Sequence, residues 1–309
     1  NSAFEVITKD NQPEQFKVKL NELNIDAAEH ILAQTPFFEE IKSELSKANP
    51  SGLIKNFQLS WIKNSDFLMS GEFYNFGISR YKEFPSVKNL TAKINTNNQK
   101  GVIEIKSKDV EIDHKILRGQ VNFNTIQGAA KWDKSNIKFS NTVLSNKDLM
   151  ATFNGLIDFE DKKNPLINIK LNSEINDVTQ LKKFYPNTLA RETLHWLDTS
   201  LLGGRIENLQ LEFNGHLKNF PFNKNNGKFV ATGKYKNARI EYATNYPEYI
   251  DTDIDININN SDAQFNSING KIANNSIKFF ETKIDLADKK KIINVEGIIE
   301  GPVNSIVEA

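Results

Sequence analysis

Apolar and polar residues alternate with a period of two along most of this chain. In DTDIDININN (251–260), Ile254, Ile256 and Ile258 share one side, and Asp253, Asp255 and Asn257 share the other. Leu90, Ala92 and Ile94 alternate likewise with Thr91, Lys93 and Asn95. Further sets run through Ile167, Ile169 and Leu171, and through Leu209, Leu211 and Phe213. Successive side chains of a strand point to opposite sides, so the pattern predicts antiparallel sheet, apolar on one face and wet on the other. Clusters such as NTNNQKG (95–101) and NKNNG (223–227) supply turns. Helical periodicity is confined to two helix–Pro–helix units, 26–48 and 177–200. The first has Thr35 as N-cap and Pro36 at the first helical position; the second divides into 178–185 and 188–200.

The strands repeat. GEFYNFGISRYKEFP (71–85) and GKYKNARIEYATNYP (233–247) share a skeleton without a gap. FKVKLNELNID (16–26) matches INIKLNSEIND (167–177), GLIKNFQLSW (52–61) matches GRIENLQLEF (204–213), and PSVKNLTAKINTNN (85–98) matches PEYIDTDIDININN (247–260). FNTIQG (123–128) matches FNSING (265–270), and FNGLID (153–158) matches VEGIIE (295–300). The second copy gains about ten residues around FPFNKNNGKF (220–229), and it lacks most of KGVIEIKSKDVEIDHKILRGQV (100–121). This reading gives one copy over 16–166 and another over 167–301, with 1–15 as the end of a preceding repeat and 302–309 as the start of a following one. The chain is then an internal piece of a longer array.

A rough area argument follows. About fifteen strands of seven or eight residues make a sheet on the order of 70 Å by 25 Å, with roughly 1,700 Å² of apolar face. A 20-residue helix covers about 300 Å², so two helical units cover about a third of it. The sheet either curls onto itself or presents its apolar side to something else, and a large uncovered apolar surface marks a binding face.

Composition narrows the chemistry. The 309 residues carry 39 basic and 39 acidic side chains and no cysteine. Zero net charge argues against a nucleic-acid partner, and the lack of cysteine excludes disulfides and thiolate zinc sites. No apolar run approaches the ~20 residues of a membrane helix. His30, His114, His195 and His216 have no partner at a metal-ligand spacing, and no nucleophile elbow, P-loop or dinucleotide fingerprint is present. In 251–262, Asp251, Asp253, Asp255, Asn257, Asn259 and Asp262 occupy calcium-loop offsets, but Ile256 stands where the sharp turn requires Gly and Asp262 where a bidentate Glu belongs. The polar face of a strand is the better reading. The residues suggest no enzyme, metal or cofactor.

The run from YPNTLARETLHWLD (185–198) through GGRIENLQLEF, the F-P-F turn, KYKNARI and YPEYIDTDIDI resembles the YhdP-type, AsmA-like proteins of Gram-negative envelopes. NPSGLIKNFQLSW, FPSVKNLTAKI and KGVIEIKS extend the resemblance over the first copy. The resemblance implies a periplasmic protein held to the inner membrane by an N-terminal helix that this chain lacks. It implies a repeating β-groove through which phospholipid passes between inner and outer membranes, with outer-membrane contact at the far end and no catalytic residues. The expected fold is mainly β, an elongated, curled antiparallel sheet of two related copies.

The expected groove lining is Leu59, Trp61, Leu90, Ala92, Ile94, Ile103, Ile105 and Phe123 in the first copy. In the second it is Ile167, Ile169, Leu171, Leu209, Leu211, Phe213, Phe229, Ile254, Ile256, Ile258, Ile277, Phe279 and Ile284. The alternation itself is equally compatible with a non-catalytic structural spacer of the envelope whose apolar face closes into a sandwich-like core.

Overall fold

The computed structural model describes residues 3–9, 12–26, 46–63, 65, 67–81, 84–187, 189, 191–242, 246–288 and 292–302. Two compact units divide the chain, Asn1–Leu144 and Ser145–Ala309. Strands dominate both.

In the first unit the strands are β1 (Ala3–Lys9), β2 (Gln12–Asn24), β3 (Ser51–Ile62), β4 (Phe67–Ile78), β5 (Ser86–Asn97), β6 (Gly101–Asp113), β7 (Val121–Trp132) and β8 (Asn136–Ser145). From β1 to β7 each strand pairs antiparallel with the next. In the second unit β9 (Leu149–Asp158) and β10 (Leu166–Ile175) lead to a 3₁₀ segment, Val178–Lys183, and helix α1 (Arg191–Ser200). There follow β11 (Leu201–His216), β12 (Gly227–Ile240), β13 (Tyr249–Asn259), β14 (Asp262–Ser267), β15 (Lys271–Ile272), β16 (Asn275–Asp285) and β17 (Ile293–Glu300). Antiparallel pairing again runs from strand to strand, with β14 and β15 both lying between β13 and β16.

Asx turns close the hairpins. The Asn97 carboxamide oxygen accepts the Gln99 and Lys100 N–H groups at 2.9 and 2.8 Å. Asp133 and Asn146 do the same for Ser135 with Asn136 and for Asp148 with Leu149. These side chains satisfy donors that the tight turn would otherwise orphan.

The strands are longer than the alternation predicts: β3, β4 and β5 have 12 residues each and β11 has 16. The reason is a series of bulges that break the alternation but not the pairing. Each carries an Asn or Asp with positive φ: Asn56 (52°), Asn75 (50°) and Asn89 (61°) in the first unit, Asn208 (54°), Asn237 (48°) and Asp251 (54°) in the second. Registers shift at these positions. Asn and Asp tolerate the left-handed region better than other residues with a Cβ. The amides released from the ladder bond across strands. Asn75 N–H donates to Thr91 Oγ1 (3.3 Å) and Asn237 N–H to Asp253 Oδ1 (3.0 Å). Thr91 N–H in turn donates to Ser107 Oγ (2.7 Å) and Asp253 N–H to Asn269 Oδ1 (2.8 Å). Gly52 and Gly204 cross the bulge so closely that a Cβ would lie 2.7 and 2.8 Å from the Asn75 and Asn237 carbonyl oxygens. A bulge bends its strand and tightens its twist, so a line of them curls each sheet.

The registers of the two units correspond pair by pair. Gly71 lies opposite Ile94 and Gly233 opposite Ile256; Ile78 lies opposite Val87 and Ile240 opposite Tyr249. Two sequence matches shift. Phe16 faces Trp61 as Ile169, not Ile167, faces Phe213. The stretch read as missing from the second copy is present as β14 and β15, which pair along β13 as β6 pairs along β5. It escaped notice because the strand is interrupted at Gly270 (φ +119°), where Ile268 turns outward with 81% exposure.

Of the two helical units, residues 27–45 of the first, with Thr35 and Pro36, lie outside the described residues. In the second, Asp177 caps the 3₁₀ segment, accepting from the Thr179 N–H at 2.9 Å and the Thr179 hydroxyl at 2.6 Å. The Thr179 hydroxyl, more than any other group, holds the Asp177 carboxyl below its ordinary range.

Two outcomes test this account. Asn75→Val should cost about 1–2 kcal/mol by forcing a β-branched residue into the left-handed region, and Asn75→Gly much less. Chemical denaturation reads the difference, and equal losses would refute it. Asp177→Ala should cost about 1 kcal/mol. A depressed carboxyl pKa contributes stability at neutral pH that fades as pH falls through the folded value. The loss on substitution should therefore shrink in acid thermal melts.

Candidate functional site

The two faces of each sheet are chemically distinct. The outer face carries ion pairs between neighbouring strands: Lys55–Glu22 (3.1 Å), Lys93–Glu72 (3.9 Å) and Lys88–Glu111 (2.9 Å) in the first unit. In the second, Glu212 sits between Lys170 (3.9 Å) and Lys228 (2.8 Å), and Lys234 and Lys236 pair with Asp255 (3.6 Å) and Asp253 (2.9 Å). The hydrogen bond from Lys236 is the main reason the Asp253 carboxyl titrates below its usual range. The acidic side of DTDIDININN is thus held by lysines of β12. Among the described residues no group of three or more His, Asp or Glu side chains is placed to hold a metal. His216 Nδ1 lies 2.8 Å from the Asn164 carbonyl oxygen.

The inner face is apolar, and cross-strand pairing arranges it in rows. In the first unit Phe16, Trp61 and Phe67 form one row, with Phe16 stacked on Trp61 at 5.5 Å. Val18, Leu59 and Met69 form the next. Ile94 pairs with Ile103, Ala92 with Ile105, and Leu90 with Phe76. Ala92 and Phe123 are buried, Phe123 opposite the buried Val110. Leu59, Trp61, Leu90, Ile94, Ile103 and Ile105 are only half-buried.

In the second unit three rows differ in cover. The first, Ile175, Ile206, Tyr235, Ile254, Ser267 and Phe280, runs beneath the helical segment. There Val178 (1% exposed), Tyr235 (5%), Ile254 (6%) and Phe280 (8%) belong to one buried cluster, joined by Ile277 and Ile272 and flanked by Leu181, Phe184 and Leu209. Burial pushes the Tyr235 phenol far up, and its hydroxyl donates to the Gly203 carbonyl at 2.7 Å. The second row joins Gly233, Ile256 and Phe265. The third joins Phe153, Leu171, Leu211, Ala231, Ile258, Ala263, Ile284 and Ile293 from β9 to β17 without a polar side chain. Its larger members are half-buried. Beyond it Ile169 pairs with Phe213 and Phe213 with Phe229, while Ile167 lies opposite Gly215 at the hairpin end.

Phe279 departs from the expected lining. A register shift between Ile277 and Phe279 turns Phe279 to the side of Glu281 and Lys283, and Phe280 takes the inward place. Period-two counting from Ile277 cannot detect a bulge. It also passed over Phe153, Ala231, Ala263 and Phe265. The alanines are short, yet 5% and 3% exposed, because larger neighbours shade them.

Comparison with known proteins decides the family. The model of the YhdP protein family matches residues 1–309. The chain belongs to the YhdP family. A curated relative, the intermembrane phospholipid transporter YhdP of Escherichia coli (strain K12), is 20% identical over 189 residues, 59% of this chain. The matched region spans 15% of that relative's length. No solved structure matches.

The rows of this YhdP-family sheet give a direct test of cover. Ile254→Asp places an uncompensated charge in the buried cluster and should cost on the order of 4 kcal/mol. Ile258→Asp, in the half-open row, should cost about 1–2 kcal/mol, the lost apolar burial alone. Thermal unfolding compares them, and equal losses would mean that both rows belong to one closed core.

Proposed function

We propose that this chain is a segment of a periplasmic conduit whose apolar inner face carries phospholipid acyl chains between the inner and outer membranes. The observation that carries the reading is the uninterrupted apolar row from Phe153 to Ile293, half-buried and backed by an outer face of ion pairs. The family and the name of the E. coli relative support phospholipid as cargo. Passage along such a face needs no catalytic group. Burial of an acyl chain is favourable by about 0.8 kcal/mol per CH₂, and repetition of similar rows spreads that energy without a deep trap. In this reading an N-terminal inner-membrane anchor and an outer-membrane contact lie elsewhere in the protein.

The same reading treats the copies at 16–166 and 167–301 as successive repeats of one groove unit. The matching registers favour it and extend the correspondence one strand earlier, to β1 and β9. A second reading, a structural spacer with a closed core, is favoured by the buried cluster beneath Val178.

Lipid extraction from the purified chain separates the two. The conduit predicts co-purifying phospholipid, retained by Asp255→Lys on the outer face and reduced by Ile258→Asp with the fold intact. A monodisperse, folded and lipid-free chain would favour the spacer.

A further inference from the structure

We propose that in the second unit the acyl chain follows one lane, over Leu171, Leu211, Ala231, Ile258, Ala263 and Ile284, and that the 3₁₀ segment Val178–Lys183 shuts it out of the row beside Ile254. This rests on the conduit reading and narrows it. All three rows are mostly apolar, with Ser267 in the first and Thr282 opposite Phe265 in the second, so hydrophobicity alone does not choose among them. Cover does. Val178 and its neighbours already occupy the ground above Tyr235, Ile254 and Phe280. A chain entering there would have to displace the Asp177-capped segment and expose that cluster to water.

The lane lies four residues along β13 from Ile254, a separation of about 13 Å. Ile256 fills the interval and packs against the cluster. On the other side stands an aromatic wall. Phe213 packs on Phe229 at 6.2 Å and on Phe222 at 5.2 Å, and Phe220 packs on Phe229 at 5.2 Å. Phe222, 1% exposed, is wedged against Gly215 and Gly227, where a Cβ at Gly215 would lie 2.6 Å from its ring. Between plug and wall the lane crosses β10 to β16 without a polar or charged side chain, on strands ~4.8 Å apart. This arrangement suits a single extended hydrocarbon chain crossing the strands.

The near-isosteric diazirine analogue of leucine tests the lane without disturbing the fold. The chain is produced in bacteria with photo-leucine, irradiated in cells fed radiolabelled fatty acid, and its phospholipid adducts are mapped by mass spectrometry. Adducts should form at Leu171 and Leu211 and be lost at Leu149 and Leu181, which lie in and against the covered cluster. Equal adducts at Leu149 and Leu181 would overturn the lane and leave the conduit standing. Absence of adducts at all four would overturn both.

Discussion

The left-handed Asn or Asp in the middle of so many strands is the constraint on which the rest of the structure depends. A regular ladder of 12-residue strands would twist steadily into an open sheet with no fixed bend along its strands. Placing one residue of β3, β4 and β5, and of β11, β12 and β13, at a φ of about 50–60° inserts a bend at a fixed place in each strand. Neighbouring segments secure the bends: Thr91 and Asp253 receive the Asn75 and Asn237 amides, Ser107 and Asn269 receive those of Thr91 and Asp253, and Glu174 on the preceding strand receives that of Asn208. The curl is thus a side-chain relay and not a by-product of packing. A sheet curled in this way does not need a second layer to define its inner side.

That separation of roles explains the composition. The outer face meets water, and it does so with alternating lysine and carboxylate pairs that contribute little stability each. Each pair adds no net charge, in keeping with a chain of 39 basic and 39 acidic side chains. The inner face, relieved of ion pairs, is built mostly from Ile, Leu, Phe and Ala in register across strands. Burial of these side chains against one another remains partial over most of its extent. In a protein that stored all its stability in a dry core, this would be a defect. In a curled sheet whose backbone ladder and bulge relay already specify the fold, the apolar face is free to take an external partner.

Much of this was legible in the sequence because the signals are local. Period-two alternation marked the faces of β5, β10, β11 and β13, and the repeated skeleton around Asn75 and Asn237 falls on corresponding bulges and registers. The reason for those shared asparagines was not legible. A left-handed residue in mid-strand looks like any polar residue until its φ is known. The same blindness explains Phe279, whose face is reversed by a bulge with no Asn or Gly to announce it, and β14–β15, whose interruption at Gly270 read as a deletion. Ala231 and Ala263 were invisible for another reason: their burial comes from neighbours that only the register brings together. The cover over Ile254 depends on where residues 178–184 settle, a tertiary event with no periodic trace.

The helical segment is therefore more than a connection between β10 and β11. A sheet that left its entire inner face bare would expose an apolar patch far larger than a few hundred Å². A sheet fully covered would leave no apolar face for the proposed conduit. The segment from Asp177 to Phe184 covers one row with Val178, Leu181 and Phe184, while Lys182 and Lys183 between them face water. What it buries, Tyr235 with Ile254 and Phe280, gives the second unit a fixed core on which the half-open rows are built. Buried and half-buried rows are divided along the length of the same strands. The boundary between them is set by six residues of 3₁₀ helix.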